Sequence, residues 1–182
     1  PKNFQAYNNI GNIYLEENKD NLAIKFYDKT LSLNKNFYLA YFNRGIAFQK
    51  QKKLNESIDS FSEAIKLNSK YSEAYYNRGN SYRDINRLDF ALSDYLSAFK
   101  INPDLHNLFG NIFATKNNLC DWKNYNEDLS YLEKQILNDK SIMSPFTSLS
   151  TFDSTKIQNK VAKIHLSTEF GDSHVNYKNN FL

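Results

Sequence analysis

A spacing of 34 residues, repeated along the first part of the chain, constrains the fold more than any other feature of the sequence. Gly11, Gly45 and Gly79 stand 34 residues apart. Six other columns keep the same spacing around them: Tyr7, Tyr41 and Tyr75; Asn9, Asn43 and Asn77; Tyr14, Phe48 and Tyr82; Ala23, Ser57 and Ala91; Tyr27, Phe61 and Tyr95; Thr30, Ala64 and Ala98. A period of this length indicates one supersecondary unit that stacks on copies of itself.

Each unit is predicted to contain two helices. In the second unit, apolar residues recurring three and four positions apart place these helices over about residues 38–51 and 55–67. Polar segments such as Asn18-Lys19-Asp20 and Asn102-Pro103-Asp104 separate the helices. The small residues of the repeated columns let two helices cross closely, and the aromatic columns fill the space beside them. We therefore expect at least seven helices and no sizeable sheet.

The repeated residues resemble those of the tetratricopeptide repeat, best seen in Tyr75-Tyr76-Asn77-Arg78-Gly79-Asn80-Ser81-Tyr82 followed by Ala91, Tyr95, Ala98 and Pro103. The resemblance covers residues 4–104, although the usual Trp of the family is Tyr in each unit and the closing Pro occurs only in the third. It implies an all-α fold, a right-handed superhelix of helix-turn-helix repeats around a concave groove.

We divide the chain into three parts: residues 1–104 with three regular repeats, residues 105–138 with a degenerate fourth repeat, and residues 139–182. In the fourth repeat, Phe113 stands where the glycine is expected. Its helices are predicted near residues 105–117 and 121–138, with Asp121 as the N-cap of the second helix. Leu129, Leu132 and Ile136 should form its apolar stripe. Trp122 is expected to cover the end of the stack, as a capping repeat requires.

The last part reads as a Ser-rich loop, a short C-terminal linker helix and a polar tail. Thr155-Lys156-Ile157-Gln158 resembles a capping box and opens a helix predicted to end near Ser167. Ile157, Val161 and Ile164 would form its apolar face. The residues from Asp172 to Asn180 are polar, and we expect them to be mobile.

The order of motifs after the repeats carries a second resemblance. Cys120-Asp121-Trp122-Lys123-Asn124-Tyr125 is followed by Ser144-Pro145-Phe146 and by the helix around residues 158–164. This order is similar to the segment that joins the repeats to the catalytic region in O-linked N-acetylglucosamine transferase and its SPINDLY-type relatives. It implies a module that recruits polypeptide substrates for a nucleotide-sugar glycosyltransferase whose catalytic region is not in this chain. The alternative is a stand-alone tetratricopeptide scaffold with no linked enzyme.

The remaining composition favours an interaction module over an enzyme. No phosphate-cradling glycine loop is present, and we interpret His174 as outside any catalytic site. His106, His165 and His174 do not have metal-ligand spacing, and a single Cys120 excludes an internal disulfide. We therefore expect no catalytic residue, cofactor or metal in this chain.

Charge and hydropathy limit the classes of binding partner and the cellular locations that are expected for the chain. The 23 basic residues are interleaved with 20 acidic ones, which argues against a nucleic-acid surface. No segment approaches the roughly 20 apolar residues of a membrane helix. We expect a cytoplasmic protein with a polypeptide partner, and leave a homo-oligomer open. Because the chain begins with Pro1, we also expect it to be a fragment.

A column of asparagines is the best functional candidate. Asn9, Asn43, Asn77 and Asn111 recur on the first helix of each unit, with Asn12 and Asn80 nearly one turn further on. An amide both donates and accepts hydrogen bonds, which suits an extended peptide backbone of any sequence. In the resembling transferases the corresponding asparagines hold substrate polypeptides. Alternatively, the asparagines bond to neighbouring repeats and are structural.

A different use of such grooves, a clamp for a C-terminal carboxylate, is not favoured. The clamp needs cationic side chains where this sequence has Asn8, Glu73 and Asn77.

Overall fold

The computed structural model describes residues 3–138, 140, 143, 148, 151–152 and 154–170. These residues form nine helices and no strand, which confirms the all-α prediction. The helices are α1 (Phe4–Glu16), α2 (Asp20–Leu33), α3 (Tyr38–Lys50), α4 (Leu54–Leu67), α5 (Ser72–Asp84), α6 (Leu88–Ile101), α7 (Leu108–Asn118), α8 (Tyr125–Leu137) and α9 (Thr155–Phe170). The chain divides into two compact units, Pro1–Asn102 and Pro103–Leu182.

The first unit consists of three stacked helix pairs. Within each repeat α1 packs on α2, α3 on α4 and α5 on α6, and between repeats α2 packs on α3 and α4 on α5. The first helices also contact one another, α1 with α3 and α3 with α5. They therefore form one continuous face across the three repeats, as the tetratricopeptide pattern predicts.

A glycine beneath an aromatic ring fixes the crossing of the two helices in every repeat. The pairs are Gly11 with Tyr27, Gly45 with Phe61, and Gly79 with Tyr95, and all three rings are fully buried. A Cβ atom added to these glycines would lie 2.5, 2.6 and 2.7 Å from the ring Cε1 atom. Only glycine permits this approach, so the predicted pairing of small and aromatic columns is confirmed.

The turn between the two helices of a repeat also recurs every 34 residues, and it continues into the fourth repeat. Its central residue has a positive φ in all four places: Asn18, Lys52, Asn86 and Cys120. In the first repeat the next residue, Lys19, donates its backbone N–H to the carbonyl oxygen of Tyr14 at 2.8 Å. In the fourth, Asp121 donates to Lys116 at 2.9 Å in the same way. The fourth repeat therefore follows the others as far as Asp121.

Beyond Asp121 the fourth repeat departs from the pattern, and the prediction that Asp121 is the N-cap of its second helix was wrong. Helix α8 begins at Tyr125, and Asp121 Oδ1 instead accepts a hydrogen bond from the backbone N–H of Lys123 at 3.2 Å. Asn124 then adopts a second positive φ of 62°. This extra turn places Trp122 on the surface with 56% of its area exposed, so it does not cover the end of the stack.

The second unit has its own core on α7, α8 and α9. Phe113, which replaces the glycine, is buried, as are Leu132 and Ile136 of the predicted stripe, and Leu129 is half-buried. Helix α9 packs on α8, and its predicted apolar face is buried at Ile157, Val161 and Ile164.

The start and end of α9 differ from the prediction. The backbone N–H of Gln158 bonds to Ser154, and its side-chain amide donates to the carbonyl oxygen of Phe152, so the predicted capping box does not form. The helix runs to Phe170 rather than Ser167 because its hydrogen-bonded turns continue. The Ser144-Pro145-Phe146 motif, the tail from Asp172 to Asn180 and His174 all lie outside the described residues.

Candidate functional site

Two of the predicted site asparagines meet where the first helices contact each other. Asn43 on α3 donates its Nδ2 to Asn12 Oδ1 on α1 at 2.9 Å, which places both amides on the shared face. Asn9 on α1 is exposed and makes no hydrogen bond to any residue that the structure describes. The column therefore combines one unbonded amide with amides that already have a partner in the fold.

Two members of the set, Asn12 and Asn80, hold buried tyrosine hydroxyls. Tyr27 donates its hydroxyl to Asn12 Oδ1 at 2.9 Å, and Tyr95 donates to Asn80 Oδ1 at 2.8 Å. Burial raises the pKa of both tyrosines well above the usual value, so each hydroxyl remains a donor at neutral pH. Neither the groove role nor a bond to a neighbouring repeat, the two roles expected from the sequence, includes these bonds to a tyrosine of the same repeat.

The middle repeat replaces this polar pair with an apolar one. Phe61 stands in the place of the two tyrosines, and Ile46 in the place of the two asparagines. Asn77 on α5 consequently has no amide at position 46 to reach, and its Nδ2 donates to the backbone oxygen of Glu73 at 2.8 Å. The different bonding of Asn43 and Asn77 thus follows from what the preceding repeat offers.

The bonds inside the fold use one end of each amide and leave the other end available. Asn12 and Asn80 use Oδ1 as an acceptor, so their Nδ2 groups remain as donors. Asn43 and Asn77 use Nδ2 as a donor, so their Oδ1 atoms remain as acceptors. In the described part of the chain none of these four remaining atoms is buried or has a partner. These four amides of the first helices therefore leave two oriented donors and two oriented acceptors.

Asn111, the last predicted site residue, belongs to the second unit. It lies on α7, is half-buried, and its carbonyl oxygen accepts a hydrogen bond from Thr115 Oγ1 at 2.6 Å. Its place in a peptide-binding column stays a prediction.

The positions where a carboxylate clamp needs cations offer none. Asn8 is buried, with 6% of its area exposed, and Glu73 accepts a hydrogen bond from Ser72 Oγ at 2.9 Å. Lys50, the last residue of α3, donates its Nζ to the carbonyl oxygen of Leu15 and to Asn18 Oδ1. A terminal carboxylate would therefore meet Glu73 without a compensating charge.

Within the first unit, an arginine of a first helix links the second helices of each pair of neighbouring repeats. Arg78 binds both carboxylate oxygens of Asp94 at 2.7 Å and donates to Ser62 Oγ at 2.9 Å. Its guanidinium also lies over the rings of Tyr75 and Tyr82. Burial lowers the pKa of Arg78, but the bond and charge of Asp94 raise it more, so the net shift is upward.

The bridge between the first two repeats uses the same groups with the acid in another place. Arg44 donates Nη1 to Asp28 at 2.7 Å and Nε to Ser60 Oγ at 3.3 Å. Its acid comes from the preceding repeat, whereas Arg78 finds Asp94 in its own repeat.

The described residues contain neither a candidate metal centre nor a helix that is long and apolar enough to cross a membrane. Cys120 is exposed and unpaired.

Among known families, the tetratricopeptide repeat matches the chain three times, at residues 4–37, 38–71 and 72–105. No curated protein sequence matches the chain.

Solved structures resemble the chain over most of its length. The crystal structure of MamA is 25% identical with a TM-score of 0.67, covering 74% of this chain and 81% of MamA. The first tetratricopeptide domain of Spaghetti (RPAP3), bound to the HSP90 peptide SRMEEVD, is 23% identical with a TM-score of 0.63, covering 64% and 93%. The second such domain of human RPAP3, in complex with the HSP70 peptide SGPTIEEVD, is 24% identical with a TM-score of 0.58, covering 60% and 92%. At this level of identity, the two RPAP3 domains show only that this chain has the same fold as they do.

Proposed function

Because the chain belongs to the tetratricopeptide repeat family, we propose that it is a protein-interaction module that binds an extended polypeptide along the first helices of its repeats. The observation that carries this proposal is the set of oriented amides on that face. Asn12 and Asn80 offer donors, and Asn43 and Asn77 offer acceptors. Asn9 adds an amide without a hydrogen bond to any residue in the described part of the chain.

This set matches a peptide backbone better than it matches any one side chain. Each backbone residue carries one N–H donor and one carbonyl acceptor, which are the two groups that the oriented amides complement. A single such bond contributes a net of about 0.5–1.5 kcal/mol, so affinity depends on several bonds formed together. The amides are already held by the fold, which reduces the entropy lost on binding.

The charge of the face favours an internal segment of a polypeptide over an acidic C-terminus. Both RPAP3 domains are bound to peptides that end in EEVD. In this chain Glu73 would repel such a carboxylate, and the positions that a clamp fills with cations hold Asn8 and Asn77. Asn111, which belongs to the second unit, is a candidate by sequence periodicity alone.

The test uses an array of unstructured peptides, from which the tightest binder is remade with N-methylated backbone amides. Binding is measured by fluorescence anisotropy. We expect N-methylation to abolish binding and Asn9→Ala to weaken it about three- to tenfold, because each removes backbone hydrogen bonds. Asn55→Ala, an exposed residue of α4, is the matched control and should change nothing.

Thermal melts separate this role from a structural one. Asn9→Ala should leave the melting temperature unchanged, because its side chain has no partner among the described residues. The variant with alanine at Asn9, Asn43, Asn77 and Asn111 should lose binding while remaining folded. If N-methylated peptides bind as tightly as unmodified ones, or if the quadruple variant unfolds, the column is structural and the proposal fails.

A finer proposal rests on the motif order from Cys120 to Phe146: the polypeptide is a substrate recruited for a nucleotide-sugar glycosyltransferase. The comparisons lend it no support, and the alternative remains a stand-alone scaffold in the cytoplasm. Sequencing the gene beyond the codon for Leu182 decides between them, because the resembling transferases carry their catalytic region after this segment. The 182-residue chain itself should show no micromolar binding of UDP in calorimetry, since its sequence has no phosphate-cradling loop.

A further inference from the structure

The extra turn of the fourth repeat opens a hollow at the start of α8. The hollow has a volume of about 280 Å³ and is lined by Trp122, Asn124, Tyr125, Asn126 and Glu127. The first three repeats have no such turn, because their second helices begin two residues after the positive-φ residue. Trp122, at the position where those helices begin, is therefore left with its ring on the surface.

Two aromatic rings and three polar side chains give this hollow a mixed chemistry. The rings of Trp122 and Tyr125 meet edge to face, with centroids 5.6 Å apart and an angle of 67°. Asn124 and Asn126 bring amides that both donate and accept. The carboxylate of Glu127 accepts only, and it makes no hydrogen bond or ion pair in the described part of the chain.

The charges around the hollow favour a neutral ligand. The amino end of α8 carries a partial positive charge, which disfavours a cation. Glu127 at the same end disfavours an anion. Of the neighbouring charges, Lys123 and Asp121 are opposite in sign, and Asp128 is paired with Lys116 at 2.6 Å. Neither a phosphate nor an ammonium group would therefore gain much from entering.

We propose that this hollow binds a pyranose sugar ring. One face of a pyranose carries C–H groups that pack flat on an aromatic ring, and its rim carries hydroxyls that need both donors and acceptors. Trp122 supplies the flat surface, Tyr125 the side wall, and Glu127 with the two asparagines the partners of the hydroxyls. A proline-rich peptide has few N–H donors and needs a longer aromatic groove, so it would leave Glu127 without a partner.

Trp122 also reports on the site, because it is the only tryptophan of the chain. The experiment follows its fluorescence while the 182-residue protein is titrated with methyl β-D-glucopyranoside. We expect saturable binding in the millimolar range, since the hollow is shallow. Glu127→Gln should raise the dissociation constant about tenfold by replacing a charged acceptor. Glu133→Gln, an exposed residue of the same helix, is the matched control and should not change it.

Further ligands decide whether the pyranose ring is what is recognised. Sorbitol carries similar hydroxyls without a ring and should not bind. The proposal would be overturned if sorbitol gave an equal response, or if tetramethylammonium or a proline tripeptide bound saturably and the glycoside did not. An unchanged dissociation constant in Glu127→Gln would also overturn it. A glycopeptide bearing the same sugar separates the two sources of the ring: tighter binding than the methyl glycoside indicates a polypeptide-borne sugar, and equal binding a free saccharide. This site is independent of the asparagine face, so Asn9→Ala should not affect it.

Discussion

The outer repeats and the middle repeat of the first unit have the same backbone plan but different polar groups. The first and third repeats each supply a buried tyrosine hydroxyl, an asparagine to receive it, and an aspartate for a bridging arginine. The middle repeat has Phe61 and Ile46 in place of the first two, and Ser60 and Ser62 in place of the acids. Polar groups thus change together with their partners.

This difference separates what makes a repeat fold from what joins it to its neighbours. The glycine beneath an aromatic ring is common to all three repeats and defines each helix pair. The hydroxyls, amides and acids are matched sets that can be removed only as sets, because a buried polar group without its partner is costly.

Breaking the buried bridge should have the largest effect. Asp94→Ala leaves the guanidinium of Arg78, whose side chain is only 19% exposed, without its acid, and we expect a loss of about 3 kcal/mol in the free energy of unfolding. Asp28→Ala removes the equivalent acid of Arg44, but the Asp28 side chain is 53% exposed and should cost less than about 1 kcal/mol. Urea denaturation of both variants measures the difference. Equal losses would show that the two bridges are equivalent.

Replacing the glycine beneath the buried aromatic ring by a larger residue should destabilise each of the three repeats to a similar extent. In Gly79→Leu the new Cβ would approach Tyr95 Cε1 at 2.7 Å and the carbonyl oxygen of Ala91 at 3.3 Å. Overpacking of this kind costs about 1–3 kcal/mol. Gly45→Leu in the middle repeat should cost a similar amount, measured by the same denaturation. An unchanged midpoint for either variant would contradict the close helix crossing.

Replacing the polar pair Tyr95 and Asn80 by the apolar pair of the middle repeat should hardly change the free energy of unfolding when both residues are replaced. Tyr95→Phe alone is expected to cost about 1 kcal/mol, because Asn80 loses its donor. The double variant Tyr95→Phe/Asn80→Ile copies the middle repeat and should return to within about 0.5 kcal/mol of the starting protein. A double-mutant cycle in urea gives the coupling. Additive losses would mean that the hydroxyl and the amide are independent.

Alkaline pH should produce the smallest effect, through the tyrosines whose pKa is raised by burial. Burial raises the pKa of Tyr27 and Tyr95 in the folded state, so the unfolded chain loses its phenolic protons first as pH passes the usual value of 10.0. Stability should be constant below that pH and fall above it. The free energy of unfolding of the variant Tyr27→Phe/Tyr95→Phe should fall less steeply as the pH rises. Tyr71, whose pKa burial raises to about 12, accounts for a remaining slope. Equal slopes would contradict the prediction.

The repeat pattern was enough to predict the helix pairs and their core. Gly11, Gly45 and Gly79 with their aromatic partners recur at a fixed spacing because each repeat solves the same packing problem. The apolar stripes of α8 and α9 were found in the same way, from residues three and four positions apart.

What periodicity could not supply was the role of groups that depend on a partner elsewhere. Asn12 and Asn80 were predicted to be groove residues. In the structure, each accepts a hydrogen bond from a buried tyrosine hydroxyl, that of Tyr27 or Tyr95. The signal was present, because Ile46 and Phe61 change together. In the fourth repeat, Asp121 falls in the column of an N-cap, yet its side chain closes an additional turn that no column records.

The alternation of the bridging acids has a consequence for how such a chain could be lengthened or shortened. If unequal crossing-over duplicated the middle repeat, the new arginine would meet Ser62 of one copy and Ser60 of the other, with no acid at all. If the middle repeat were deleted, Arg78 would meet both Asp28 and Asp94. The order of the three repeats is therefore encoded in their charges, and a change of copy number would carry an electrostatic penalty although every helix pair would still fold.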